Sequence, residues 1–101
     1  MKIARVLGNA TLSRMHPMMH AATLRCVEVV ERIDDLDAAA SGTAVPGTDL
    51  IIAWDLCGCG EGDFVALAEG PEAAAPFGPD VKPIDASIVA ILDHIDIQSP
   101  N

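Results

Sequence analysis

The segment Ile88-Val89-Ala90-Ile91-Leu92 is an unbroken apolar run. It constrains the fold more than any other stretch, because no side of it is suited to water. Two readings of it stand. Ile88, Ile91, Leu92 and Ile95 keep the spacing i, i+3, i+4, i+7 of a helix face. The same run is rich in β-branched residues and suits a strand buried on both faces. Beyond it, His94-Ile95-Asp96-Ile97 alternates polar and apolar with the period of two of a half-exposed strand. Local pattern leaves both open, and what precedes the run favours the strand. Ile3 to Leu7 (closed by a Gly8-Asn9 turn), Thr23 to Glu31, Asp49 to Asp55 and Phe64 to Ala68 are four short apolar stretches separated by turn and loop residues. With Asp85 to Ile97 as a fifth strand, the expected fold is all-β, a small five-stranded antiparallel barrel.

The connections follow from the same punctuation. The stretch with Met15, His16, Pro17, Met18, Met19 and His20 reads as a loop, and Asp34 to Gly47 as a longer one with a helical turn around Leu36 to Ala40. Cys57 to Gly62 is a glycine-dense turn. Gly70 to Pro83 carries four prolines and reads as irregular apart from one turn at Glu72 to Ala75.

At 101 residues the chain has room for one domain, spanning residues 1–101. Half of its residues are apolar but only 3% are aromatic (Trp54, Phe64, Phe77), so the core is built from aliphatic side chains. A domain this small leaves much apolar surface uncovered when alone, which predicts burial between subunits. Fifteen acidic against six basic residues give a net charge of −9. That charge repels phosphate backbones and anionic headgroups, so neither nucleic acid nor membrane is an expected partner. No window approaches the roughly 18 apolar residues of a membrane span. The opening Met1-Lys2-Ile3-Ala4-Arg5 lacks a signal-peptide core, and the expected location is cytoplasmic. Three cysteines without an export signal do not read as a disulfide framework.

No catalytic constellation emerges. No nucleophile is paired with a base, and no glycine loop carries the Lys-Ser or Lys-Thr of a phosphate site. Cys57 and Cys59 form a Cys-x-Cys pair with Cys26 elsewhere, whereas a metal or cluster needs about four ligands. His16 and His20 stand four apart, but Pro17 disfavours helical geometry at His16. The cysteines therefore read as small buried or turn thiols, and no metal, cofactor or enzymatic activity is expected. A nucleic-acid binder on the same barrel would want a basic groove and stacking aromatics. A small metal-dependent enzyme, a metal-binding protein and a generic oligomeric scaffold are the other rivals.

Taken in order, three segments resemble the EutN/CcmL family of bacterial microcompartment vertex proteins. Met1-Lys2-Ile3-Ala4-Arg5-Val6-Leu7-Gly8 is similar to that family's first strand. Gly58-Cys59-Gly60-Glu61-Gly62-Asp63 resembles its Gly-Ala-Gly-x-Gly-Asp turn, with Cys59 in place of a small residue. Pro83-Ile84-Asp85-Ala86-Ser87-Ile88-Val89-Ala90-Ile91-Leu92-Asp93 is similar to its closing Pro-Val-Asp-Ala-x-Ile-Val-x-Ile-Val-Asp run. The chain departs in a longer, more acidic middle over Ile33 to Gly47. It departs again at Glu69-Gly70-Pro71-Glu72-Ala73-Ala74, where the family often has Gly-Ser-Ser-Ala-Arg.

The resemblance implies an OB-like barrel assembled as a cyclic homopentamer, a structural shell protein that caps vertices among hexameric and trimeric microcompartment shell proteins. It implies that the loop Gly58, Cys59, Gly60, Glu61 and Gly62 lies near a five-fold pore, where five Glu61 carboxylates would disfavour anions. The alternative for the same residues is a plain hairpin turn. Because the last strand is apolar on both faces, Ile88, Ala90 and Leu92 are its expected contacts with a neighbour. Five copies at −9 each carry −45, so Arg5, Arg14 and Arg25 are expected to pair with carboxylates across the interface.

Overall fold

A computed structural model of the chain describes residues 1–14, 17–19, 23–31, 49–79 and 84–95. Five strands, β1 (Lys2–Ala10), β2 (Leu24–Val30), β3 (Leu50–Asp55), β4 (Phe64–Glu69) and β5 (Ala86–Leu92), close into a barrel in the order β1-β2-β3-β5-β4. A four-residue helix, α1 (Pro71–Ala74), and a 3₁₀ turn (Ala75–Phe77) lie between β4 and β5. Another 3₁₀ turn, Pro17–Met19, precedes β2. The ambiguous final run is a strand.

Alternation along the strands builds the interior. Ala4 and Val6 of β1, Val27 and Val29 of β2, Ala53 of β3, Val65 and Leu67 of β4, and Ala86 and Ile88 of β5 form one buried cluster. None of them is larger than leucine, which suits the narrow bore of a five-stranded barrel. A second cluster of Met19, Leu24 and Trp54 packs on the outer face of β2 and β3. Phe77 closes it with ring centroids 4.7 Å from Trp54.

Four expectations change. The barrel is not wholly antiparallel, because β3 and β5 pair in parallel through Trp54–Ser87 and Asp55–Ile88. Gly8-Asn9 is no turn: β1 runs on to Ala10, and an extra residue at Leu7, between the Val6–Val27 and Gly8–Cys26 pairs, absorbs the irregularity as a bulge. Three residues of the predicted fifth strand, Asp93, His94 and Ile95, follow β5 rather than extend it. Finally, Ile88 does not face a neighbour. It is fully buried inside its own barrel.

The reason is a second bulge. Leu67 pairs with Ile88 and Ala66 with Ala90, so Val89 is an extra residue. In a regular strand Ile88, Ala90 and Leu92 share one face. The inserted residue breaks that parity, leaving Ile88 inward with Leu67 while Ala90 and Leu92 pair outward with Ala66 and Phe64.

The predicted turn at Glu72 to Ala75 is realised as α1. Its one buried residue, Ala73, has a carbonyl that accepts a 2.6 Å hydrogen bond from the buried Ser87 hydroxyl. Asp85, just before the last strand, contributes its backbone carbonyl, which accepts from Gly70 N–H. The predicted helical turn at Leu36 to Ala40, and the residues His16 and His20, lie outside the described residues.

Candidate functional site

The glycine loop leaves β3 at Asp55, and Asp55 organises it. Its carboxylate is buried at the end of the barrel. Oδ1 accepts from the backbone N–H groups of Cys57 and Gly58, both at 2.9 Å, and Oδ2 from Cys59 N–H at 3.0 Å. Three successive amides converging on one carboxylate form an anion-holding concavity of the Asx-turn kind. Arg25 completes it, donating from Nε to Oδ2 at 3.0 Å while its Nη1 donates to Asn9 Oδ1. Burial by itself raises the Asp55 carboxyl. The Cys57 amide, the Arg25 guanidinium and the Gly58 amide together outweigh it and hold the group below the ordinary carboxylate range.

The far end of the loop is tied as firmly. Gly60 N–H donates to Asp63 Oδ2 at 2.8 Å, Gly62 N–H to the Val6 carbonyl at 2.8 Å, and Val6 N–H to the Asp63 carbonyl at 2.9 Å. Gly58 and Gly62 have φ of +75° and +90°, the left-handed region that side chains avoid, so the glycines are required by the turn itself.

This geometry sorts the predicted loop residues. Gly58, Gly60, Glu61 and Gly62 are exposed, with Glu61 at the outer edge. Cys59 points the other way: it is 2% exposed and belongs to the barrel core. Burial first, then the neighbouring Asp55 carboxylate, pushes its thiol up to about 11. It is a core side chain, one of the small buried thiols that the sequence leads one to expect. Cys57 is exposed, and its thiol lies 3.7 Å from the Ile88 carbonyl. Among the described residues no three His, Cys, Asp or Glu side chains are grouped as metal ligands.

The predicted interface arginines separate as well. Arg5 Nε holds the nearly buried Glu28 at 2.9 Å across the β1–β2 pair, and Arg25 holds Asp55. Both pairs lie within one chain, set by strand register that no reading of spacing supplies. Arg14 is exposed and meets no carboxylate among the described residues. Asp55 itself was missed as a site residue. The signal available was its place as the last polar residue of β3 before a glycine-dense turn, where Asp side chains bind the amides that follow.

On the outside, Ile3, Ala66 and Leu92 line an open groove with Met1, Lys2, His94 and Ile95. Elsewhere on the barrel, Leu50 and Ile52 project from β3 at 66% and 49% exposure. Among the described residues, no helix is long and apolar enough to cross a membrane.

The family model described as ethanolamine utilisation protein EutN/carboxysome matches residues 1–93. The chain belongs to the EutN/CcmL family. Its relatives include the carboxysome shell vertex protein CcmL of Thermosynechococcus vestitus, 28% identical over 95 residues, covering 94% of this chain and 86% of that one. CcmL of a Nostoc species is 24% identical over 102 residues, covering 97% and 88%. Among solved structures, the pentameric shell protein of the RMM microcompartment is 28% identical, with full coverage of both chains and a TM-score of 0.75. The Nostoc CcmL structure is 25% identical with a TM-score of 0.76, covering 97% of this chain and 93% of that one. The EutN/CcmL family is structural rather than enzymatic.

Proposed function

We propose that this chain is a structural subunit of a bacterial microcompartment shell, forming homopentamers that close its vertices in the cytoplasm among hexameric and trimeric shell proteins. The observation that carries the reading is the closed five-stranded barrel. It is matched to the EutN/CcmL family over residues 1–93 and to a pentameric shell protein along the whole chain. The exposed aliphatic side chains of so small a domain support assembly. The charge of −9 argues against nucleic acid and anionic membrane as partners.

Within that pentamer, the loop Gly58–Gly62 is the proposed lining near the five-fold axis. Glu61 would supply a ring of carboxylates that disfavours anions, and the tied backbone keeps the opening at one width. Ala90 and Leu92 lie on the outer face that a neighbour covers, and Arg14 is the arginine whose charge is available to it. Native mass spectrometry tests the reading. A dominant species of five chains is expected, and a monomer or an even-numbered assembly overturns it. Closed shells that fail to form from hexameric shell proteins without this chain, and form with it, would separate a vertex from a free pentamer.

A further inference from the structure

A cyclic ring uses a heterologous interface: every subunit presents two different patches, and one patch of each copy meets the other patch of the next. Two apolar patches of unlike shape occur on this barrel. The first is the groove bounded by Ile3 of β1, Ala66 of β4, Leu92 of β5 and Ile95 beyond it, about 380 Å³ in volume, room for aliphatic side chains rather than a single water. The second is a ridge on β3. There Leu50 and Ile52 stand out on the same face, with Ile51 and Ala53 turned to the core between and beside them. No groove residue lies on β2 or β3, so the patches do not overlap.

Both patches are apolar at the centre and carry charge only at the rim. The groove rim carries Lys2 and His94. Lys2 is bound to Glu31 and Glu69 at 3.5 and 3.2 Å with its side chain still 43% exposed. The ridge begins beside exposed Asp49. A chain this acidic needs contacts that bring little like charge together, and an apolar ridge in an apolar groove does so.

Resting on the pentameric reading above, we infer that Leu50 and Ile52 of β3 insert into the Ile3–Ala66–Leu92–Ile95 groove of the next copy, and that this contact closes the ring. Both patches are then covered on every subunit. An isologous pairing of either patch with itself would make dimers and leave the other patch bare.

The test is a charge exchange read by native mass spectrometry and sedimentation, with circular dichroism confirming the fold. Ile52→Asp alone and Leu92→Lys alone should each dissolve the ring, raising the concentration at which half the chains are assembled by more than about tenfold. The double variant I52D/L92K should restore pentamers, since only contact between the two positions lets one charge answer the other. Leu50→Glu, at the more exposed ridge position, should weaken the ring without loss of fold. Pentamers that persist in both single variants overturn the inference. So do single variants that dissociate while folded when the double variant stays dissociated. If Ile52→Asp leaves the pentamer intact but blocks assembly with hexameric shell proteins, the ridge serves that partner and the inference again fails. A wild-type chain that is not pentameric refutes the proposed function instead, before any variant is read.

Discussion

Replacing Asp55 by alanine removes the acceptor of four hydrogen bonds at once: the amides of Cys57, Gly58 and Cys59, and Arg25 Nε. The losses are unequal. Cys57 and Gly58 are exposed, and water replaces the carboxylate there at small cost. Cys59 is buried, and an unpaired buried amide costs about 1–3 kcal/mol. The Arg25 side chain is only 17% exposed and keeps Asn9 as its remaining partner. Breaking such a pair by removing one member costs about 3–5 kcal/mol. These figures overlap rather than add, and the expected loss is about 3–5 kcal/mol, a large part of a small domain's stability. Trp54, the only tryptophan and the residue before Asp55, supplies the probe. Urea unfolding followed by its fluorescence, at one fixed protein concentration so that assembly is held constant, should show the loss. Asp55→Asn should lose less, because one acceptor oxygen survives. The pH dependence has a definite sign. With its folded value depressed, the carboxylate's contribution is complete above the unfolded value of about 3.9 and disappears as pH falls through the lower folded value. The wild type should therefore lose stability below about pH 4 more steeply than Asp55→Asn. An alanine variant within about 1 kcal/mol of wild type, or identical acid limbs, would refute the claim that this carboxylate holds the loop.

Alkylation at pH 8 should modify exposed Cys57 quickly and Cys59 only on unfolding, by mass spectrometry of timed samples. Because the Cys59 thiol is raised to about 11, stability should also decline as pH rises from the ordinary thiol range towards that value. Gly62→Ala should cost about 1–2 kcal/mol in urea unfolding from the backbone alone, since φ is +90° and an added Cβ meets nothing within 4 Å. Ile88→Ala should cost about 2–5 kcal/mol in the barrel interior, whereas Ile91→Ala, at 45% exposure, should cost the subunit less than about 1 kcal/mol. Reversal of that order would contradict the burial of Ile88 and the exposure of Ile91.

The number of strands, their approximate limits and the all-β class were legible because each strand is an apolar, β-branched stretch and the short connections carry glycine or proline. β2, β3 and β4 fall within a residue or two of the stretches that predict them. The glycine loop was legible for the same reason. Its anchor was not, because Asp55 and Arg25 are thirty residues apart and meet only through the pairing of β2 with β3.

What the amino-acid order determined by itself is where the chain extends and where it turns, since those are local preferences of backbone and side chain. Only the closed barrel decided which way each residue faces. One extra residue at Val89 turns Ile88 into the core and leaves Ala90 and Leu92 outside. Strand register sets Glu28 beside Arg5, and closure of the loop buries Cys59 rather than Glu61. Inside and outside are relations between strands distant in sequence, and a single inserted residue inverts them without altering the apolar pattern from which the strand is read.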